Sequence, residues 1–199
     1  MLTCGIFLVA NPTCVRGQVA VQGEVVHTLA GDPIKDGIVL VRDGKIAAIG
    51  RATDIQVPDG FELLQAPVVT PGLIDARSTV GLSGLLNSPH DQDQLETSAP
   101  LQPELRALDA YNTQDELVAW IRSFGITTVH TGHAPGELIS GQTLIVKTFG
   151  NTVDAAQLRE TAAIVATLSA PARKDGPKSP GTRGKMVAML REQFIQAQE

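Results

Sequence analysis

Between residues 73 and 131 the chain runs strand, helix, strand, and that order constrains the fold more than any other feature of the sequence. "GLIDA" is a short apolar strand ending in a carboxylate, Asp75. In "TQDE", Thr113 and Glu116 have capping-box spacing, and Leu117, Ile121 and Phe124 form an apolar stripe that Gly125 is placed to end. "ITTVHT", residues 126–131, reads as the next strand. A strand–helix–strand crossover joins parallel strands, so a parallel sheet or barrel is expected from residue 71 onward.

The segment before Pro71 has a different texture. "GIVLVRDGKIAAIG" places two apolar runs around Asp43-Gly44, the dipeptide preferred in two-residue hairpins. "VAVQGEVVHTLAG" reads as a further strand pair, and "FELLQAPVVT" as one more strand. No helical period occurs here, so residues 19–70 are expected to form a small β module. His27, within one of its strands, reads as structural.

Beyond residue 131, "TLIVKTFG" is a strand and "TAAIVATLSA" is ambiguous between strand and helix. "RKDGPKSPGTRG" is a polar loop. Ser179-Pro180 is expected to open a last helix with proline at its first position, and Met186, Leu190 and Phe194 share a face. An eight-fold barrel needs about 250 residues. The stretch from Leu73 to Glu199 holds two or three βα units at most, which points to the N-terminal part of a longer protein, since an isolated piece would expose its edge strands.

Composition narrows the function. With 199 residues, 43% hydrophobic and 19% charged, the chain can bury a real core. A net charge of -5 without a basic stripe argues against nucleic acid. No apolar run has the length of a membrane span. Two cysteines, Cys4 and Cys14, supply neither a disulfide framework nor a cysteine-rich zinc site. Residues 1–18 leave two readings open, the remnant of a secretory signal or a loosely packed terminus. On that basis export and retention in the cytoplasm stand even, and an exported or periplasmic protein is favoured only through the family resemblance that follows.

A small β module, then "VVTPGLIDA", then βα units resembles the amidohydrolase superfamily, in particular its imidazolonepropionase-like and exported members. "IKDGIVLVRDGKIAAIG" resembles the segment that builds the family's β-sandwich, and "PGLID" resembles the entry into its first barrel strand. "PELRALDAYN", "FGITTVHTGHAPGELISGQTLIVKT" and "SPGTRGKMVAMLRE" extend the likeness over nearly the whole chain from Val19. The resemblance implies an α/β fold: a β-sandwich part in residues 19–70, then the first βα units of an incomplete (β/α)8 TIM-type barrel in residues 71–199. It also implies a hydrolase of carbon–nitrogen bonds other than peptide bonds, with a small-molecule substrate attacked by water on a divalent metal such as zinc.

The family pattern places histidines two and four residues after the strand-end aspartate. Here those positions are Arg77 and Thr79. A guanidinium repels a cation and a neutral hydroxyl is a weak ligand. A metal would then rest on residues beyond this chain, helped by His130 or His133.

Asp75 could orient a substrate, but reads first as a carboxylate supporting Arg77 or a backbone amide. His130 and His133, in "VHTGHAP", could ligate one ion with Glu137 or a later residue as third ligand, or bind substrate and move a proton. Against both stands a loop histidine making hydrogen bonds. Arg77 and His90 are candidate substrate-binding residues, Arg77 as an anion anchor. His90, Asp91, Asp93 and Glu96 could together bind a cation or an amine, although a solvated helix start explains them as well. Lys147 could be a metal-bridging carbamate, but a snorkelling lysine with an ion-pair partner is favoured. Gly136 and Gly141 lack the lysine of a phosphate loop and read as turn residues. Two functions follow: a metal-dependent hydrolase represented by its N-terminal part, inactive on its own, or a non-catalytic relative that binds or scaffolds. A homo-oligomer is compatible with either.

Overall fold

The structure, a computed structural model, describes residues 17–86, 88–176 and 180–199. Residues 1–16 of the terminus for which a signal or a loose end was expected, with both cysteines, and Ser179 lie outside them. The chain divides into two compact units, Met1–Pro71 and Gly72–Glu199.

The first unit is one four-stranded sheet. Its strands are β1 (Val19–Val26), β2 (Ile34–Arg42), β3 (Lys45–Arg51) and β4 (Glu62–Val69), in the order β3-β2-β1-β4. Asp43 and Gly44 join β2 to β3 with φ of 54° and 74°, the two positive values of a tight hairpin turn. "VAVQGEVVHTLAG" is a single strand, not the expected pair. Gly23 is no turn: it pairs with Gly37 on one side and Ala66 on the other.

The register decides what each face of this sheet carries. Ala20, Ile38 and Leu40 are buried beneath Ala52, Ile55, Val57 and Phe61. On the opposite face, Ile49, Val39, Val21 and Leu64 line up across all four strands, and Ile46, Val41 and Val19 form a second row. That apolar face is open among the described residues, Ile46 being 67% and Leu64 47% exposed. It has the character of one layer of a sandwich.

The second unit begins with β5 (Leu73–Ser78). An irregular stretch follows, with a one-turn helix α1 (Ala107–Ala110). Then come α2 (Glu116–Ser123), β6 (Ile126–Gly132), β7 (Ile139–Lys147), α3 (Val153–Ala156), β8 (Gln157–Ala166) and α4 (Arg183–Gln196). The sheet order is β5-β6-β7-β8. β5 and β6 are parallel, with α2 in the crossover, as the strand–helix–strand order requires.

The pattern then departs from successive βα units, because β6, β7 and β8 are antiparallel. Residues 133–138 are too short a connection for a crossover, so β7 can only fold back. Of the ambiguous "TAAIVATLSA", residues 161–166 are strand and belong to β8 of the resulting meander. Leu82, Tyr111, Val118, Ile121, Val129, Leu144 and Val146 form the core under α2, and Leu138, Ala172, Met186 and Met189 form another under α4.

Helix details also differ from expectation. Asp115 rather than Thr113 caps α2, accepting from Leu117 N at 2.8 Å. Asn112 Oδ1 takes Gln114 N at 2.9 Å, which holds the preceding residues in a turn and delays the helix. Val118 and Ile121 carry the buried face, while Phe124 is exposed with its ring 4.9 Å from that of Trp120. α4 is capped by the Thr182 hydroxyl on Lys185 N, so Pro180 precedes the helix instead of opening it. Phe194 is 70% exposed, and Met189 takes its expected place in the core. Among the described residues no helix is long and apolar enough to cross a membrane.

Candidate functional site

In an α/β sheet, ligands bind beyond the carboxyl ends of parallel strands. Here those are the ends of β5 and β6, which carry Arg77 and His133. Asp75 Oδ1 accepts from Arg77 N at 3.0 Å, so this carboxylate shapes the end of its own strand. The Arg77 guanidinium spans the two strand ends: Nη1 donates to Ser78 O and Nη2 to His133 O. Burial pushes the Arg77 pKa down and Asp75 pushes it back up. Arginine remains charged in proteins, so a cation is built into the rim. Thr79 turns aside, with its hydroxyl 3.0 Å from Ser83 Oγ and its carbonyl accepting from Leu82 N and Ser83 N.

His130 lies across the sheet. Its Nδ1 donates to Ala76 O at 3.0 Å, and Nε2 is paired with the Thr143 hydroxyl at 2.7 Å. Both nitrogens therefore tie β5, β6 and β7 together, and neither is left for an ion. His133 is the opposite case. It is 4% exposed, and neither ring nitrogen has a hydrogen-bond partner. Its ring sits over Gly141, where an added Cβ would come 2.4 Å from Cδ2 and 2.9 Å from Nε2. Burial is the main cause lowering the His133 pKa, and Arg77 lowers it further. The Gln94 carbonyl opposes them without closing a hydrogen bond to either nitrogen.

Glu137 does not join the histidines. It is 2% exposed and pairs with Lys174 from the loop before α4. No local signal in the sequence marks that pair, since the partner comes from the far side of β7 and β8. His90 is exposed in a 3-10 turn, Pro89–Asp91, with Nε2 3.3 Å from Ser88 Oγ. The acids around it diverge. Asp91 lies over Gly84, and Glu96 Oε1 accepts from Ser98 N at 2.7 Å. Asp91, Asp115 and Glu116 line one depression of about 230 Å³. Burial raises the Asp115 pKa, the Leu117 N–H lowers it, and Asp91 and Glu116 add to the rise. Lys147 is exposed, donates to Thr128 Oγ1 at 3.4 Å and has no carboxylate partner among the described residues.

These residues do not fit a divalent metal. Among the described residues no three His, Cys, Asp or Glu side chains come together as a site. The two positions where the resemblance expects imidazoles hold a cation bonded to carbonyls and a hydroxyl bonded to a serine. No step of a metal-assisted reaction is therefore assigned to this chain's own side chains.

No family model matches the sequence. No curated protein matches it either. Solved structures do. An amidohydrolase from Thermotoga maritima MSB8 superposes with a TM-score of 0.82 at 24% identity, over 91% of this chain and 48% of that one. Ochratoxinase from A. niger overlaps 38% of this chain and 20% of its own at 21% identity, with a TM-score of 0.32. N-acetyl-D-glucosamine-6-phosphate deacetylase from Mycobacterium smegmatis overlaps 62% of this chain and 34% of its own at 17% identity, with a TM-score of 0.33. The latter two overlaps are too partial to carry an argument. The chain spans about half the length of the Thermotoga structure. Over nearly all of its own length it has the fold of that part of an amidohydrolase, in keeping with the N-terminal portion its sequence resembles.

Proposed function

We propose that this chain is the N-terminal part of an amidohydrolase-type hydrolase acting on carbon–nitrogen bonds of small molecules, other than peptide bonds. The observation that carries this reading is the superposition over 91% of the chain with a TM-score of 0.82. In this reading β5 and β6 are the first strands of a barrel that further polypeptide completes, and any metal ligands lie on that polypeptide. This chain contributes the frame of the rim. Asp75 sets the strand end, Arg77 joins the ends of β5 and β6, and His130 locks β5, β6 and β7 in register. The open apolar face that carries Ile46, Ile49 and Leu64 supports the same reading, since a sandwich needs a second layer there.

The guanidinium in place of an imidazole favours a second reading, a binding or scaffolding relative without chemistry. One experiment separates the two. The full natural-length protein is assayed against amides, ureas and cyclic imides before and after dialysis against a chelator, beside Arg77→His. Turnover that is lost on chelation supports the hydrolase. No bound zinc, iron, manganese or nickel, and no turnover by either protein, leaves the binding reading.

A further inference from the structure

We propose that His133 makes the segment between β6 and β7 an acid-released latch: a proton on its imidazole frees the segment from Arg77. The geometry behind this is specific. His133 is buried, its ring is closed in over Gly141, and neither nitrogen has a partner. The same residue's carbonyl is what Arg77 Nη2 grips. Ring and carbonyl thus belong to one residue held in one place by a cation.

A neutral imidazole tolerates that setting, because an unpaired polar group costs far less than an unpaired buried charge. An imidazolium does not. It would bring a second positive charge beside the guanidinium, with no carboxylate to answer it. Of the charged groups on neighbouring elements, Arg77 on β5 is the one that acts on the ring. Glu137 is committed to Lys174, and Glu96 is bonded to Ser98 N. Asp93 and Glu104, on the segments that supply the Gln94 and Leu105 carbonyls, are exposed. The Gln94 carbonyl favours the charged ring and answers it only in part, burial outweighing it; fuller relief comes if the ring turns out to water and the gripped carbonyl moves with it.

The direction in pH follows. The folded-state pKa of His133 is held below the unfolded value of about 6.5, so folding is undisturbed above that pH. Stability is lost as pH falls from there to the folded-state pKa and is level below it. The loss reaches at most about tenfold in the unfolding constant per pH unit, the limit for one proton.

The test is urea unfolding of the 199-residue chain between pH 5 and 8, read by Trp120 fluorescence, for the wild type and His133→Asn. The wild type is expected to lose stability below about pH 6.5 in excess of the variant, by up to tenfold in the unfolding constant per pH unit. Parallel curves overturn the proposal. Should His133→Asn fail to fold, imidazole NMR of the wild type decides. A His133 ring that titrates below the ordinary range, with the Arg77 and Ser78 amides shifting in step, supports the latch. An ordinary titration, or unmoved amides, overturns it.

Discussion

Gly132, at the end of β6, offers the sharpest test of the packing that sets the rim. Its φ is 152°, and an added Cβ would lie 2.7 Å from the Cα of Thr143 on β7. A backbone atom within a ladder cannot step aside as a flexible side chain can. Gly132→Ala therefore adds about 1–3 kcal/mol of backbone strain and about 1–3 kcal/mol of overpacking. We expect a loss near 3 kcal/mol, more than a hundredfold in the folding constant. Gly125→Ala is the control. Its φ of 84° is also positive, but nothing lies within 4 Å of the added Cβ, so only about 1–2 kcal/mol is at stake. Both variants can be followed by urea unfolding, because the single tryptophan, Trp120, reports on the second unit. A Gly132→Ala that costs no more than Gly125→Ala would refute the close approach of β6 and β7.

Other outcomes follow from the same packing. Lys174→Met strands the Glu137 carboxylate in the interior, and we expect about 3 kcal/mol of destabilisation at pH 7 that shrinks in acid as the carboxylate takes up a proton; equal losses at pH 7 and pH 4 would contradict this. Tyr111, the only tyrosine, is pushed up to about 12 by burial and then by Asp115, so tyrosinate absorbance should stay low past pH 10 and folding should weaken above that pH; a midpoint near 10 would show an accessible ring. Trp120 is 59% exposed, so its emission should be red-shifted and readily quenched by iodide in the folded protein, and a blue-shifted, protected signal would count against the placement of α2.

Much of the frame was legible in the sequence because its signals are local. Asp43-Gly44 specifies a hairpin through its own backbone preference. The β5, α2, β6 order forces a parallel pair. Signals that depend on distant residues misled. Gly23 resembles a turn until its two ladder partners are known. The direction of β7 was set by the length of a connection, while the run "TLIVKTFG" shows only that it is a strand. The candidate site divided in the same way. Asp75 beside its own strand-end amide could be anticipated, since both groups lie two residues apart. The burial of His133, the double engagement of His130 and the Glu137–Lys174 pair could not, because each depends on β7 or on the loop before α4 folding back over the rim.

The rim has the fold seen in the Thermotoga amidohydrolase but is held by Arg77, and the described residues make no metal site among themselves. Zinc titration of the 199-residue chain against a competing chelator tests it most directly. The account predicts no stoichiometric site, with His130→Ala and His133→Ala indistinguishable from the wild type. One zinc ion retained per chain, and lost when either histidine is removed, would contradict it.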